Sequence, residues 1–170
     1  MTFAWKTLCA TSTASMSLAL TAISPPAPWL MWNTTASAPV GLYRLAPTER
    51  AAFGDLVVAR PPEPLASWFD EAGYLPRGVP LVKHVAAVTG QRICRAGEVL
   101  TVDGRRVARA RERDRLGRRL PVWSGCYRLG RDDLLLLNSA PDSLDGRYFG
   151  PSHRADLIGR AIPIWTRGGR

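Results

Sequence analysis

Between Lys6 and Arg44 the chain carries no charged residue, whereas the rest of it is rich in arginine. A stretch of that kind is costly to leave in water and has to be covered by lipid or by protein. Within it, Leu8–Ile23 is apolar but diluted by Thr11, Ser12, Thr13, Ser15, Ser17 and Thr21. That run is short for a membrane span. Ala27–Trp32 can extend it to the interface, with Trp29 and Trp32 as aromatic anchors, and Pro25, Pro26 and Pro28 end or kink the helix. The rival is a cleaved secretory signal. Its small-residue sites would be Ala22-Ile23-Ser24, a poor match, and Ala36-Ser37-Ala38, which Pro39 follows directly. The expectation is therefore an uncleaved signal-anchor. Residues 1–32 form a cytoplasmic tip and one N-terminal transmembrane helix, and residues 33–170 a domain on the periplasmic side of the inner membrane. Either outcome exports the domain.

With 170 residues the chain has room for one core plus a tail. The net charge of +9 is arginine charge, since Lys6 and Lys83 are the only lysines. Arg109, Arg111, Arg113 and Arg115 alternate, which places them on one face of a strand or extended hairpin. Such a run is ordinarily a solvated face, and beside a bilayer it can also meet lipid phosphate. Of three cysteines, Cys9 lies in the apolar segment. Cys94 and Cys126 are left as a candidate disulfide, with two buried thiols as the alternative; an oxidising compartment favours the bridge. The scattered cysteines and two histidines offer no metal site, and no glycine-rich phosphate loop is present, so no cofactor is expected.

Past the tether the apolar residues follow strand periods. Strands are expected at Gly41–Arg44, Asp55–Ala59, Pro80–Thr89, Leu120–Trp123, Tyr127–Leu129 and Leu157–Trp165, with one short helix at Leu65–Ala72. Val99–Val102 and Arg106–Ala110 should pair across Asp103-Gly104, a strong two-residue hairpin signal. Leu134–Leu137 is continuously apolar, hence buried on both faces. The domain is mostly β.

Ser37 follows the tether, and Lys83 sits among Leu81, Val82, Val85 and Val88. A serine needs a neighbouring base to become a nucleophile, and a lysine can serve once an apolar setting lowers its pKa. The histidines fit a serine triad less well. His84 faces away from Lys83 on the same strand, and His153 lies in a polar loop.

These residues sit in blocks that resemble the signal peptidase I superfamily of Ser/Lys peptidases, most nearly the conjugative-transfer peptidases of the TraF type. In order along the chain the blocks are Asn33–Tyr43, Gly54–Val58, Gly78–Gly90, Asn138–Pro151 and Ile158–Ala161. The resemblance implies Ser37 as nucleophile and Lys83 as general base. It implies that Thr35 supports the oxyanion hole, that Ser143 orients the lysine, and that Asp145 and Arg147 brace the loop. A purely structural role for each of these four is the alternative. The chain departs from housekeeping enzymes in reading Ala38-Pro39 where they have methionine, in lacking Gly-Asp before Asn138, and in having no room for their extra domain.

The resemblance implies a signal-peptidase-like, β-rich catalytic domain in a membrane-anchored serine endopeptidase. Its partners would be the lipid bilayer and an exported precursor, the pilin subunit of a conjugative system, which it would cleave and, as in some relatives, cyclise. The competing readings are a non-catalytic assembly factor that retains the fold, and a repressor-type autoprotease suggested by the basicity. The latter needs a DNA-binding module that an apolar tether replaces here, so no nucleic-acid partner is expected.

Overall fold

The computed structural model describes residues 2–23, 29–48 and 51–167. Helix α1 (Thr2–Ile23) is 22 residues long. Its hydroxyls bond back into the helix: Thr11 donates to the Thr7 and Leu8 carbonyls, Thr13 to Cys9 and Ala10, and Ser17 to Thr13. Among the described residues no helix is long and apolar enough to cross a membrane, hydroxyl dilution being the weakness of this one. Pro25, Pro26 and Pro28 lie outside the described residues. The extension of the apolar segment to Trp32 is corrected: Leu30–Asn33 is strand β1, paired antiparallel with β2 (Gly41–Ala46). Trp32 is exposed and stacks on Trp165 with ring centroids 5.7 Å apart.

The chain continues through β3 (Leu56–Ala59), α2 (Glu63–Glu71), β4 (Leu81–Ala87), β5 (Arg92–Ala96), β6 (Val99–Val102), β7 (Arg105–Arg109), β8 (Gly125–Arg128), β9 (Asp133–Leu137), α3 (Gly146–Phe149), β10 (Ser152–His153) and β11 (Leu157–Thr166). One sheet runs β1-β2-β11-β3-β4-β9-β10 and a second β7-β6-β5-β8. All the pairings are antiparallel. The mostly-β expectation holds.

The reasons are local in most places. Asp103 and Gly104 both take positive φ, 49° and 79°, the two-residue turn whose twist matches its flanking strands. Helix α2 starts behind Pro62, carries proline in its first turn, and buries Ala66 and Phe69. Strand β9 is buried at every position. Leu135 and Leu137 face a cluster with Ile93, Leu100 and Leu129, while Leu134 and Leu136 face another with Val57 and Val85. Each buried leucine contributes on the order of 1.5–3 kcal/mol. A register shift between Val85 and Ala87 lets β4 serve both clusters.

Three further expectations fail. Leu120–Trp123 is not a strand: Leu120 packs on Ala110 and Tyr148, and the Trp123 indole donates to the Gly146 carbonyl at 3.1 Å. The alternating arginines do not share a face either. Only Arg109 is in a strand; the chain then turns, with Gly117 N–H donating to the Asp114 carbonyl and a lone bridge between Arg113 and Arg119. His153 is likewise in the short strand β10 rather than a loop, and its Nδ1 lies 3.3 Å from Asp133 Oδ1. Cys94 and Cys126 are direct partners across β5 and β8 and form the disulfide.

Candidate active site

Lys83 occupies the middle of β4, hydrogen-bonded between β3 and β9, and alternation turns it inward while His84 is exposed. Only 4% of Lys83 is accessible. Its Nζ donates to Ser143 Oγ at 2.8 Å, a bond spanning 60 residues of sequence. Burial pushes the Lys83 ammonium from the ordinary lysine value down to about 8. Nearby Asp145 pulls the other way, but Arg147 works against Asp145, so the pair leaves desolvation in charge.

The position of Lys83 is held by a side chain that the sequence marked only as the start of a family block. Asn138 follows the last residue of β9 and is buried. Its Nδ2 donates to the Val82 carbonyl at 2.9 Å, and its Oδ1 accepts the His84 N–H at 3.2 Å. Both flanks of Lys83 are thereby fixed by one amide. A lone asparagine directly after the apolar run Leu134–Leu137 was the available signal.

The loop after Asn138 carries Ser143 and is tied at both ends. Asp145 is fully buried and caps α3. Its carboxylate accepts from Asn138 N–H at 3.0 Å and from Arg147 Nε at 2.8 Å. Arg147 spends its remaining donors on the Asn138 and Pro141 carbonyls, at 2.6 and 3.3 Å. Arg95, inward-facing in β5 in phase with Ile93, donates to the Arg147 carbonyl at 2.6 Å. The surrounding surface arginines obscured that role. Gly146 permits the close approach: a Cβ there would sit 2.7 Å from Leu135 Cδ1.

Ser37 lies on the other loop, between β1 and β2. Buried Asn33 organises it, its Nδ2 donating to the Thr35, Ala38 and Pro39 carbonyls at 3.0 to 3.2 Å. Asn33 Oδ1 accepts the Thr35 N–H and hydroxyl, and the Tyr43 hydroxyl donates to the Pro39 carbonyl at 2.6 Å. The Thr35 hydroxyl proton is thus engaged by Asn33. Thr35, Ser37, Lys83 and Ser143 line one cavity of about 180 Å³, with apolar walls from Phe69, Leu75, Pro80, Leu81 and Leu144. All six residues singled out in the sequence gather here: four line the cavity, and Asp145 and Arg147 brace it from behind.

Residues 2–166 match the family described as signal peptidase, peptidase S26. The chain belongs to that family. It is accordingly a serine peptidase, a hydrolase, and the family implies a secreted precursor as substrate. A solved signal peptidase I from Enterococcus faecalis V583 shares 14% identity with the peptidase, covering 66% of this chain and 97% of that one, with a TM-score of 0.39. The family assignment rests on the match over residues 2–166. No curated protein matches the peptidase.

Proposed function

We propose that the peptidase cleaves an exported precursor with Ser37 as nucleophile and Lys83 as general base. The observation that carries this reading is a buried, desolvated lysine sharing a cavity with Ser37 and held by Ser143. With a pKa of about 8, roughly a tenth of Lys83 is neutral at pH 7, against less than one part in a thousand for an ordinary lysine. The neutral amine takes the Ser37 proton as Oγ attacks the scissile carbonyl. Catalytic hydrogen bonds commonly tighten only once substrate fills the site. The Ser37 N–H and the Thr35 hydroxyl, released from Asn33 by a rotation, are the donors for the oxyanion. The leaving amine takes the proton back from Lys83, and the acyl-enzyme ester is then resolved.

The sequence blocks of TraF type support a pilin precursor of a conjugative system as substrate. Resolution of the ester is by water, or by the substrate's own amine to give a circular product when that amine is held at high effective concentration. The charge-free stretch before Arg44, a helix in which the Thr11, Thr13 and Ser17 hydroxyls are internally bonded, and exposed Trp29 support a membrane anchor, which would place the domain on the periplasmic side. Ser37→Ala and Lys83→Ala should each abolish processing of a co-expressed pilin precursor while the protein still accumulates. Processing at the wild-type rate by either variant would falsify the dyad. Intact mass of the product distinguishes the two endings: a circular product is lighter than the linear one by one water.

A further inference from the structure

Tyr74, Asp142 and Leu144 line two cavities at once. The first holds Ser37 and Lys83. The second, of about 200 Å³, is walled by Leu116, Leu120 and Tyr148 and rimmed by Arg111, Arg115 and Arg118. An extended chain lying across Ser37 therefore has a second pocket beside it, reached over Tyr74 and Leu144.

The walls of this pocket are fixed. Asp114 accepts N–H bonds from Leu116 and Arg118 at 2.8 and 2.9 Å, the Tyr74 hydroxyl at 2.6 Å and Arg118 Nε at 2.6 Å. The Arg118 guanidinium lies 3.9 Å above the Tyr74 ring centre and also donates to the Ala72 carbonyl. Tyr148 Oη accepts the Arg111 N–H at 3.1 Å.

The rim is different. Arg118 is satisfied by Asp114, but Arg111 and Arg115 both turn to Asp142, Arg111 at 3.6 Å and Arg115 in direct contact. Three guanidinia meet two carboxylates, so one positive charge is left over. Arg111 and Arg115 are also the exposed members, 47% and 76% accessible, and can change partners with little reorganisation. An apolar pocket with a surplus mobile guanidinium at its mouth complements an apolar side chain next to a carboxylate.

We propose that this pocket is a specificity subsite that takes a large apolar side chain of the precursor, with Arg111 and Arg115 exchanging Asp142 for an adjacent substrate carboxylate. The proposal rests on the Ser37 cavity being the active site, and it narrows the substrate to precursors with an apolar-acidic pair at a fixed distance from the scissile bond.

The test separates binding from turnover. Full-length protein carrying Ser37→Ala is titrated with fluorescein-labelled peptides containing Ala-x-Ala. In these a Phe-Glu, Phe-Gln or Phe-Lys pair is moved along both sides of that sequence, and binding is read by anisotropy. At one register Phe-Glu should bind about tenfold tighter than Phe-Gln, with Phe-Lys weakest, and the difference should shrink at high salt. Arg111→Gln combined with Arg115→Gln should erase the preference. Asp142→Asn, which frees both guanidinia, should widen it, a direction that a damaged pocket does not give. Equal affinity for the three peptides at every register, no binding at all, or a preference that survives the double substitution overturns the subsite. Cleavage of the same peptides by the unsubstituted enzyme is measured separately. Charge-selective binding without turnover would leave the subsite standing and count against the Ser37–Lys83 reading.

Discussion

Arg147 and Arg115 are the same residue in opposite circumstances. Arg147 is 3% accessible, and its guanidinium has a carboxylate and two carbonyls as partners behind the Lys83 cavity. The Arg115 side chain is 76% accessible and leans on an Asp142 that it shares with Arg111. In the first region water has been removed, so each charge must be matched and a missing partner is costly. In the second, water screens the charges and substitutes for any partner lost. Arginine thus braces the fold in one place and stays available for recognition in the other, and burial decides which.

The largest effect should come from leaving Arg147 unmatched. Asp145→Asn removes the carboxylate of a pair that is buried on both sides and should cost about 3–5 kcal/mol in denaturant unfolding. A loss below about 1 kcal/mol would erase the distinction between the regions. The disulfide comes next. Cys94 and Cys126 are 32 residues apart and enclose the whole arginine-rich segment. Replacing both by serine should cost about 3–4 kcal/mol on loop-closure grounds. Hydrogen exchange should show the loosening in β6, β7 and the loop that follows, with the Lys83 neighbourhood less affected.

Lys83 sharpens the comparison through pH. Its folded pKa of about 8 lies below the unfolded lysine value, so between the two the unfolded chain binds more protons. The Lys83 contribution to stability therefore rises with pH across that window, by about 3 kcal/mol in all. Cleavage should rise with the same group, with kcat/KM climbing about tenfold per pH unit below 8 and levelling above it. A profile flat through pH 8, or Lys83→Met showing the same stability slope, would contradict a desolvated lysine. The smallest effect belongs to the surface. Arg109 and Glu98 meet at 2.5 Å, but the arginine is 76% accessible. Arg109→Ala should change stability by less than about 1 kcal/mol, and less still at high salt.

Much of the fold could be read in advance where the signal was local. The Asp103-Gly104 hairpin, the doubly buried Leu134–Leu137 strand and the helix near Trp68 follow from turn chemistry and spacing within a few residues. The failures share one cause. Leu120–Trp123 has strand-like composition but no strand beside it, and its apolar groups find Ala110, Tyr148 and the α3 backbone instead. The alternation of Arg109 to Arg115 promised a face that the turn at Asp114–Gly117 removes. A strand is completed by its neighbour, and composition does not name the neighbour.

The site divides in the same way. By itself the sequence determined that Ser37 lies in the charge-free stretch before Arg44 and that the only lysine beyond Lys6 sits in an apolar strand, because both are matters of residue type and adjacent spacing. The family blocks implied that Ser143 meets Lys83, a contact across 60 residues; only the tertiary structure decided that Asn138 holds β4 on both sides of the lysine and that Asn33 ties down the Ser37 loop. Those contacts depend on sheet order and on which polar groups lose their water. Burial is a property of the packed chain, and it is burial that turns an ordinary amine into one that can accept a proton near neutral pH.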